Sequence, residues 1–211
     1  MPTVIAFVSQ KGGVGKSTLA RALAREAAAG SLAVKVADLD TQQGTAVDWN
    51  RQRLHAGIEP IVAVETFDTA KRALAVAGAY ELLVIDGPAR TSKATLEIAR
   101  SADLIVQPTG ASADDLRPAV REFHALRQAG ISAKKLTFAL NRIGTDAEEA
   151  EARSYIAEAG YTSLPGYLPE RPAFRLAQNL GYAITETRFP KLNERANALI
   201  QALIDRIAAD G

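Results

Sequence analysis

Six short runs of apolar, largely β-branched residues, at 3–8, 33–37, 61–64, 82–85, 104–107 and 136–140, recur along the chain between longer stretches with helical spacing. Strand-length runs alternating with helical patterns predict parallel strands joined by crossover helices. Several runs, Leu82-Leu83-Val84-Ile85 among them, are apolar at every position rather than at every second one. Strands of that kind are buried on both faces, so the expected fold is α/β, a doubly wound, mostly parallel sheet with helices on both sides. Towards the C-terminus Leu192, Leu199, Ile200, Leu203, Ile204 and Ile207 fall at helical spacing. They predict a helix packed on the core, because the basic face and bulky aromatics of a membrane-surface helix are missing. With no repeat and no Ser/Gly linker, one domain over 1–211 is expected.

Composition narrows the function classes. The 211 residues with 47% hydrophobic content suffice for one sizeable core. A net charge of +1 gives no global nucleic-acid footprint, so any DNA contact must come from a local patch. Zero cysteines exclude disulfides, thiolate zinc sites and cysteine-held iron–sulfur clusters. The N-terminal residues run straight into the first apolar run without a basic leader, and no apolar stretch approaches spanning length. A cytoplasmic protein with no membrane partner is expected.

The candidate chemistry sits at the ends of the strand-like runs, where open α/β sheets bind their ligands. The first run passes into Ser9-Gln10-Lys11-Gly12-Gly13-Val14-Gly15-Lys16-Ser17-Thr18 and then into a helical pattern. Glycines permit positive φ and let backbone N–H groups converge on an anion, to which the helix starting at Lys16 adds its positive end. A triphosphate fits such a cradle: Lys16 reaches the β- and γ-phosphates, Ser17 places its hydroxyl on Mg²⁺ and Thr18 bonds the α-phosphate. Asp38 and Asp40 follow the second run. If strand geometry persists, both point the same way, Asp38 holding a Mg²⁺-bound water and Asp40 orienting the attacking one. Asp86 ends the fourth run as a second metal-holding acid, and Gly87 is expected to allow close approach of the γ-phosphate.

The form Lys11-Gly12-Gly13-Val14-Gly15-Lys16-Ser17-Thr18, with Gln10 where the standard pattern has its first glycine, resembles the deviant Walker A loop of the ParA/MinD family of P-loop ATPases. Asp38-Leu39-Asp40-Thr41-Gln42 is similar to a family segment in which Thr41 is a proline, and Asp86 takes the Walker B place. Asp48-Trp49, Gln107-Pro108-Thr109, Asp114-Asp115-Leu116 and Glu170-Arg171-Pro172 look like the small ParF-like partition members. The resemblance implies ATP and Mg²⁺ as cofactors, with Lys11, Lys16 and Asp40 catalytic. Lys11 would reach across an ATP-bound homodimer to the partner subunit's phosphates. Asn141, Pro169 and Glu170 are the candidates for base contact. It further implies slow hydrolysis stimulated by a small centromere-binding or adaptor protein. The ATP dimer would bind nonspecific DNA on the nucleoid, for which Arg171, Arg175, Arg188, Lys191 and Arg195 are the candidate cations.

The expected function is segregation of plasmid or chromosomal DNA. The alternative is the same switch positioning a protein cargo, such as a chemoreceptor cluster or carboxysome, or a DNA-transfer complex. A small ATP-dependent ligase of the dethiobiotin synthetase kind is a distant alternative that leaves Lys11 without a role. An iron-protein type reductase needs cysteines that the chain lacks.

Overall fold

A computed structural model describes residues 2–41, 43–89 and 92–210, so Gln42 lies outside the described residues. Seven strands form one sheet: β1 (Thr3–Phe7), β2 (Val34–Asp38), β3 (Ala63–Thr66), β4 (Leu82–Asp86), β5 (Leu104–Thr109), β6 (Leu136–Ile143) and β7 (Thr162–Pro169). Their order is β3-β2-β4-β1-β5-β6-β7, and every pairing is parallel. The helices are α1 (Lys16–Ala29), α2 (Thr45–His55), α3 (Ala70–Ala75), α4 (Ser92–Ser101), α5 (Ala113–Gln128), α6 (Asp146–Glu158), α7 (Pro172–Asn179) and α8 (Pro190–Asp210).

The unbroken apolar runs are explained by two cores on opposite faces of the sheet. From β1 and β4, Val4, Ala6, Leu83 and Ile85 enter one core, with Ile98 of α4, Phe123 of α5 and Ile156 of α6. The alternate residues Ile5, Phe7, Leu82 and Val84 enter the other, with Leu23 of α1, Trp49 of α2 and Phe174 of α7. Leu199, Ile200 and Leu203 of α8 are buried there too, which is the packing expected of the C-terminal helix.

Proline in a central strand normally removes a ladder bond, yet Pro108 lies within β5, opposite Ala139 of β6. The Val106 carbonyl faces β1 and accepts from Val8 N–H at 3.1 Å. Pro108, two residues on, faces the same side, where β1 has already left the sheet for the loop after Phe7.

The seventh strand was not among the six predicted runs. Its sequence, TSLPGYLP, carries two prolines and a glycine, which read as strand breakers. It is tolerated because β7 is an edge strand whose pairing with β6 shifts register twice, and Gly166 takes φ +76 within it. No helix among the described residues is long and apolar enough to cross a membrane.

Candidate nucleotide site

Register brings the predicted acids together. Phe7 pairs with Asp86, and Asp86 with Asp38, so the ends of β1, β4 and β2 lie side by side. The loop after β1 turns through Gly13 (φ +74) and Gly15 (φ +111), the second forming the N-cap of α1. At Gly15 a Cβ would stand 2.1 Å from Asn141 Nδ2. That amide donates to the Val14 carbonyl at 2.7 Å, so Asn141 at the end of β6 buttresses the cradle. Asn141 also lines a cleft with Gly15, Thr18, Pro169 and Glu170, which collects the residues expected near the base.

Lys16 is buried, and its ammonium donates to the Ser9 and Lys11 carbonyls at 3.2 and 3.3 Å. Burial lowers its pKa, while the charges of Asp86, Asp40 and Glu122 hold it up. Lys11 behaves differently: its side chain is 45% exposed and paired with Asp115 on α5. The two lysines of the loop are therefore segregated, one turned into the cradle and one turned out.

Asp86 is 1% exposed, and neither carboxylate oxygen has a hydrogen-bond partner. Burial pushes its pKa up to about 7; the Ser17 hydroxyl and the charges of Arg21 and Lys16 pull it down, and Asp38 pushes it up. An orphaned buried carboxylate beside a serine hydroxyl suits a hard, oxygen-seeking cation. Ser17 Oγ lies 3.0 Å from Thr45 Oγ1 at the start of α2. Ser17 and Asp86 thus fit Mg²⁺ or its bound waters, with Thr45 as a further oxygen. Mg²⁺ bound there would neutralise charge that develops on phosphate oxygens during transfer.

One expectation changes. Strand geometry does not persist past Asp38: β2 ends there, and Asp38 Oδ1 accepts from Asp40 N–H at 3.0 Å. Asp38 Oδ2 accepts from Ala46 N–H at 3.0 Å, so its carboxylate also seats the start of α2. Burial raises its pKa, and the N–H groups of Asp40, Ala46 and Val47 oppose the rise. Asp40 lies beyond the strand, its Oδ1 accepting from Gln43 N–H at 3.2 Å and its charge felt by Lys16. Gly87 is also closely approached by β1: its N–H bonds the Phe7 carbonyl at 2.9 Å, and a Cβ would stand 2.7 Å from that oxygen.

Three groups were not foreseen. Thr45 follows an unremarkable Gln-Gly and carries no local signal. Arg21 of α1 donates to the Thr45 carbonyl, reaches Gln178 of α7 at 3.3 Å and lies 5.8 Å from the Trp49 ring, so it ties the metal side to the base side. Glu122 of α5 is buried, accepting from Gln10 N–H at 3.1 Å and Gln107 Nε2 at 2.7 Å. Burial raises its pKa. A glutamine inside the apolar run at 104–107 was the available signal for that last network.

The candidate DNA cations are dispersed over the N-cap and body of α7, the segment before α8 and the first two turns of α8. Arg171 and Arg175 line the base-side cleft, Arg175 lying 3.6 Å from Glu170. Arg188 lies over its neighbour Phe189, Arg195 over Tyr167, and Lys191 is exposed in the first turn of α8.

The profile of the family described as the CobQ/CobB/MinD/ParA nucleotide binding domain matches residues 5–181. The maintenance of carboxysome distribution protein A of Gloeobacter kilaueensis is 32% identical over 191 residues, 89% of this chain and 86% of that protein. Among solved structures, the septum site-determining protein MinD of Pyrococcus horikoshii OT3, complexed with Mg-ADP, matches with TM-score 0.76 at 18% identity, covering 100% of this chain and 99% of that one. McdA of Cyanothece, in a complex with ATP, matches with TM-score 0.70 at 16% identity, covering 96% of each chain. Profile match and sequence identity over most of the length agree with the parallel sheet and the two-lysine loop: the chain belongs to the CobQ/CobB/MinD/ParA nucleotide-binding family.

Proposed function

We propose that this protein is an Mg²⁺-dependent ATPase that dimerises on ATP and positions a macromolecular cargo, with a protein assembly favoured over a plasmid as that cargo. The observation that carries the switch is the segregation of the lysines. Lys16 is turned into its own cradle, whereas Lys11 stands outside it, 45% exposed and paired with Asp115, and would serve a triphosphate held by a second copy. Hydrolysis would follow from positioning and charge: Lys16 would hold the β- and γ-phosphates, Ser17 and Asp86 would hold a Mg²⁺ that supplies further positive charge, Asp40 would orient water, and Lys11 of a second copy would neutralise the transferred group. Loss of the γ-phosphate removes the bridge between copies.

The carboxysome-distribution relative favours the protein-cargo reading over plasmid partition. ATP-dependent, nonspecific DNA binding belongs to the proposal as the track on which the dimer is retained, together with an adaptor that stimulates hydrolysis. Because Arg171 and Arg175 also line the base-side cleft, reversing them would confound nucleotide and DNA binding. Arg188 and Lys191 give the cleaner test. Reversing both to glutamate should abolish ATP-dependent retardation of random DNA while leaving DNA-free hydrolysis intact; unchanged retardation would remove this surface from the proposal. For the switch, Lys11→Ala should bind ATP, fail to dimerise and lose hydrolysis. Wild-type dimerisation and turnover in that variant would refute it.

A further inference from the structure

Within Leu19-Ala20-Arg21-Ala22-Leu23-Ala24 of α1, one charge stands among residues that are otherwise apolar and buried. Arg21 is 8% exposed, and among the described residues no carboxylate pairs with it directly; the charges of Asp86, Asp38 and Asp48 reach it from farther off. A guanidinium taken out of water is costly unless its N–H groups and its faces are used. Here they are used on other elements of the site. One N–H group donates to the Thr45 carbonyl in α2, another donates to Gln178 Oε1 in α7 at 3.3 Å, and the Trp49 ring of α2 lies 5.8 Å away.

The two acceptors belong to opposite ends of the site. Ser17 and Arg21 stand one turn apart on α1 and share a face. Both hold Thr45, Ser17 at its hydroxyl at 3.0 Å and Arg21 at its carbonyl. The N-cap of α2 is Gly44 at φ +54, which offers no side chain of its own, so the direction of Thr45 depends on what neighbouring elements hold. Gln178 lines the base-side cleft with Asn141, and its Nε2 donates to the Phe174 carbonyl at 3.3 Å, so both ends of the amide are engaged. A base in the cleft narrows the freedom of the Gln178 side chain, and Arg21 is the group through which that restriction reaches Thr45.

We infer that Arg21 is a positioning residue that couples the two ends of the nucleotide site: holding Thr45 and Gln178 with one planar fork, it makes Mg²⁺ bind more tightly when a base fills the cleft than when phosphates are bound alone. This deepens the Mg²⁺-nucleotide reading and rests on it. Linkage makes the effect reciprocal, so Mg²⁺ also tightens the hold on the base. Its size is set by the hydrogen bond that carries it, from Arg21 to Gln178. At 3.3 Å that bond is long, which places it with ordinary hydrogen bonds, about 2- to 13-fold in an equilibrium. Lysine at this position keeps the charge but lacks the fork that meets two acceptors and a ring at once.

The test compares ADP with inorganic pyrophosphate, which has phosphates and no base, by calorimetric titration in EDTA and in saturating Mg²⁺. The quantity read is the gain in affinity on going from EDTA to Mg²⁺. Gln178→Ala should reduce that gain about 2- to 13-fold for ADP and leave it unchanged for pyrophosphate, whatever it does to ADP affinity in EDTA. In an Arg21→Lys background, Gln178→Ala should change neither gain, since the link is already cut. A gain for ADP that survives Gln178→Ala, or that falls equally with and without Arg21, overturns the assignment. Trp49, the chain's one tryptophan, gives a second reading that needs only the wild type. With Mg²⁺ present, saturating ADP and saturating pyrophosphate should give different Trp49 emission; identical emission also overturns the assignment. Failure of the nucleotide reading has a separate signature, namely Mg²⁺ that raises the wild-type affinity for neither ligand.

Discussion

Replacing Asp86 by asparagine should make the nucleotide-free protein gain stability at pH 8 relative to pH 5, although it destroys the metal site. Asp86 is buried without a hydrogen-bond partner on either oxygen, and burial raises its pKa from 3.8 to about 7. Below pH 3.8 the group is protonated in folded and unfolded chains alike and costs nothing. Between 3.8 and 7 the unfolded chain ionises first, so stability falls as pH rises; above 7 the loss is complete, at about 4 kcal/mol. From pH 5 to pH 8 the wild type should therefore lose about 3 kcal/mol that Asp86→Asn retains. A buried, unsatisfied amide costs ~1–3 kcal/mol at both pH values, which is why the difference between the two pH values, not the stability at either, is diagnostic. Asp38 and Glu122, also raised by burial, remain in both proteins. Relief of Asp38 from its charged neighbour adds to the effect with the same sign. Urea unfolding at both pH values in EDTA measures it. Pairs of stabilities that differ by the same amount at pH 5 and pH 8, within about 1 kcal/mol, would refute the claim that Asp86 is held as a costly buried acid. Mg²⁺ with ADP should flatten the wild-type pH dependence and leave the variant unchanged.

Three other substitutions test the surrounding design. Gly15→Ala meets both φ +111 and Asn141 Nδ2 at 2.1 Å; calorimetric titration should show ATP binding lost, with stability lowered by ~1–3 kcal/mol. Thr45→Ala removes the oxygen 3.0 Å from Ser17 and should raise the Mg²⁺ requirement for nucleotide binding by about 10-fold without changing affinity in EDTA. Glu186→Ala removes the carboxylate that holds the fully buried Arg53 guanidinium at 2.7 and 3.1 Å, leaving its charge facing the Glu59, Pro60 and Gly181 carbonyls. Urea unfolding should show a loss of about 3–5 kcal/mol.

What was legible in the sequence follows from the range of the forces involved. The central strands declare themselves because burial on both faces removes most polar alternates, and the phosphate loop does so because backbone reversal at Gly13 and Gly15 is a local requirement. The edge strand β7 hides because its prolines and Gly166 are breakers anywhere except where one side of the ladder is unpaired. Alternation misplaced Asp40 for a similar reason: the rule holds only while the strand lasts, and Asp38 ends the strand by bonding the Asp40 N–H itself.

The groups that complete the site lie at sequence separations where no local pattern operates. Arg21 meets Gln178, Glu122 meets Gln10, and Lys11 meets Asp115, in each case more than a hundred residues away. Their signs nevertheless form one pattern. Burial lowers the pKa of Lys16 and Arg21 and raises that of Asp86 and Glu122, so these four charges are ones that solvent no longer fully supports. Lys11 alone among the loop's charges remains largely in water, against a carboxylate that is itself part exposed. A charge kept solvated is cheap to move, whereas the desolvated set is costly to disturb. The fixed cations therefore suit holding a nucleotide within one copy, and the movable one suits a contact that must form with ATP and be broken after hydrolysis.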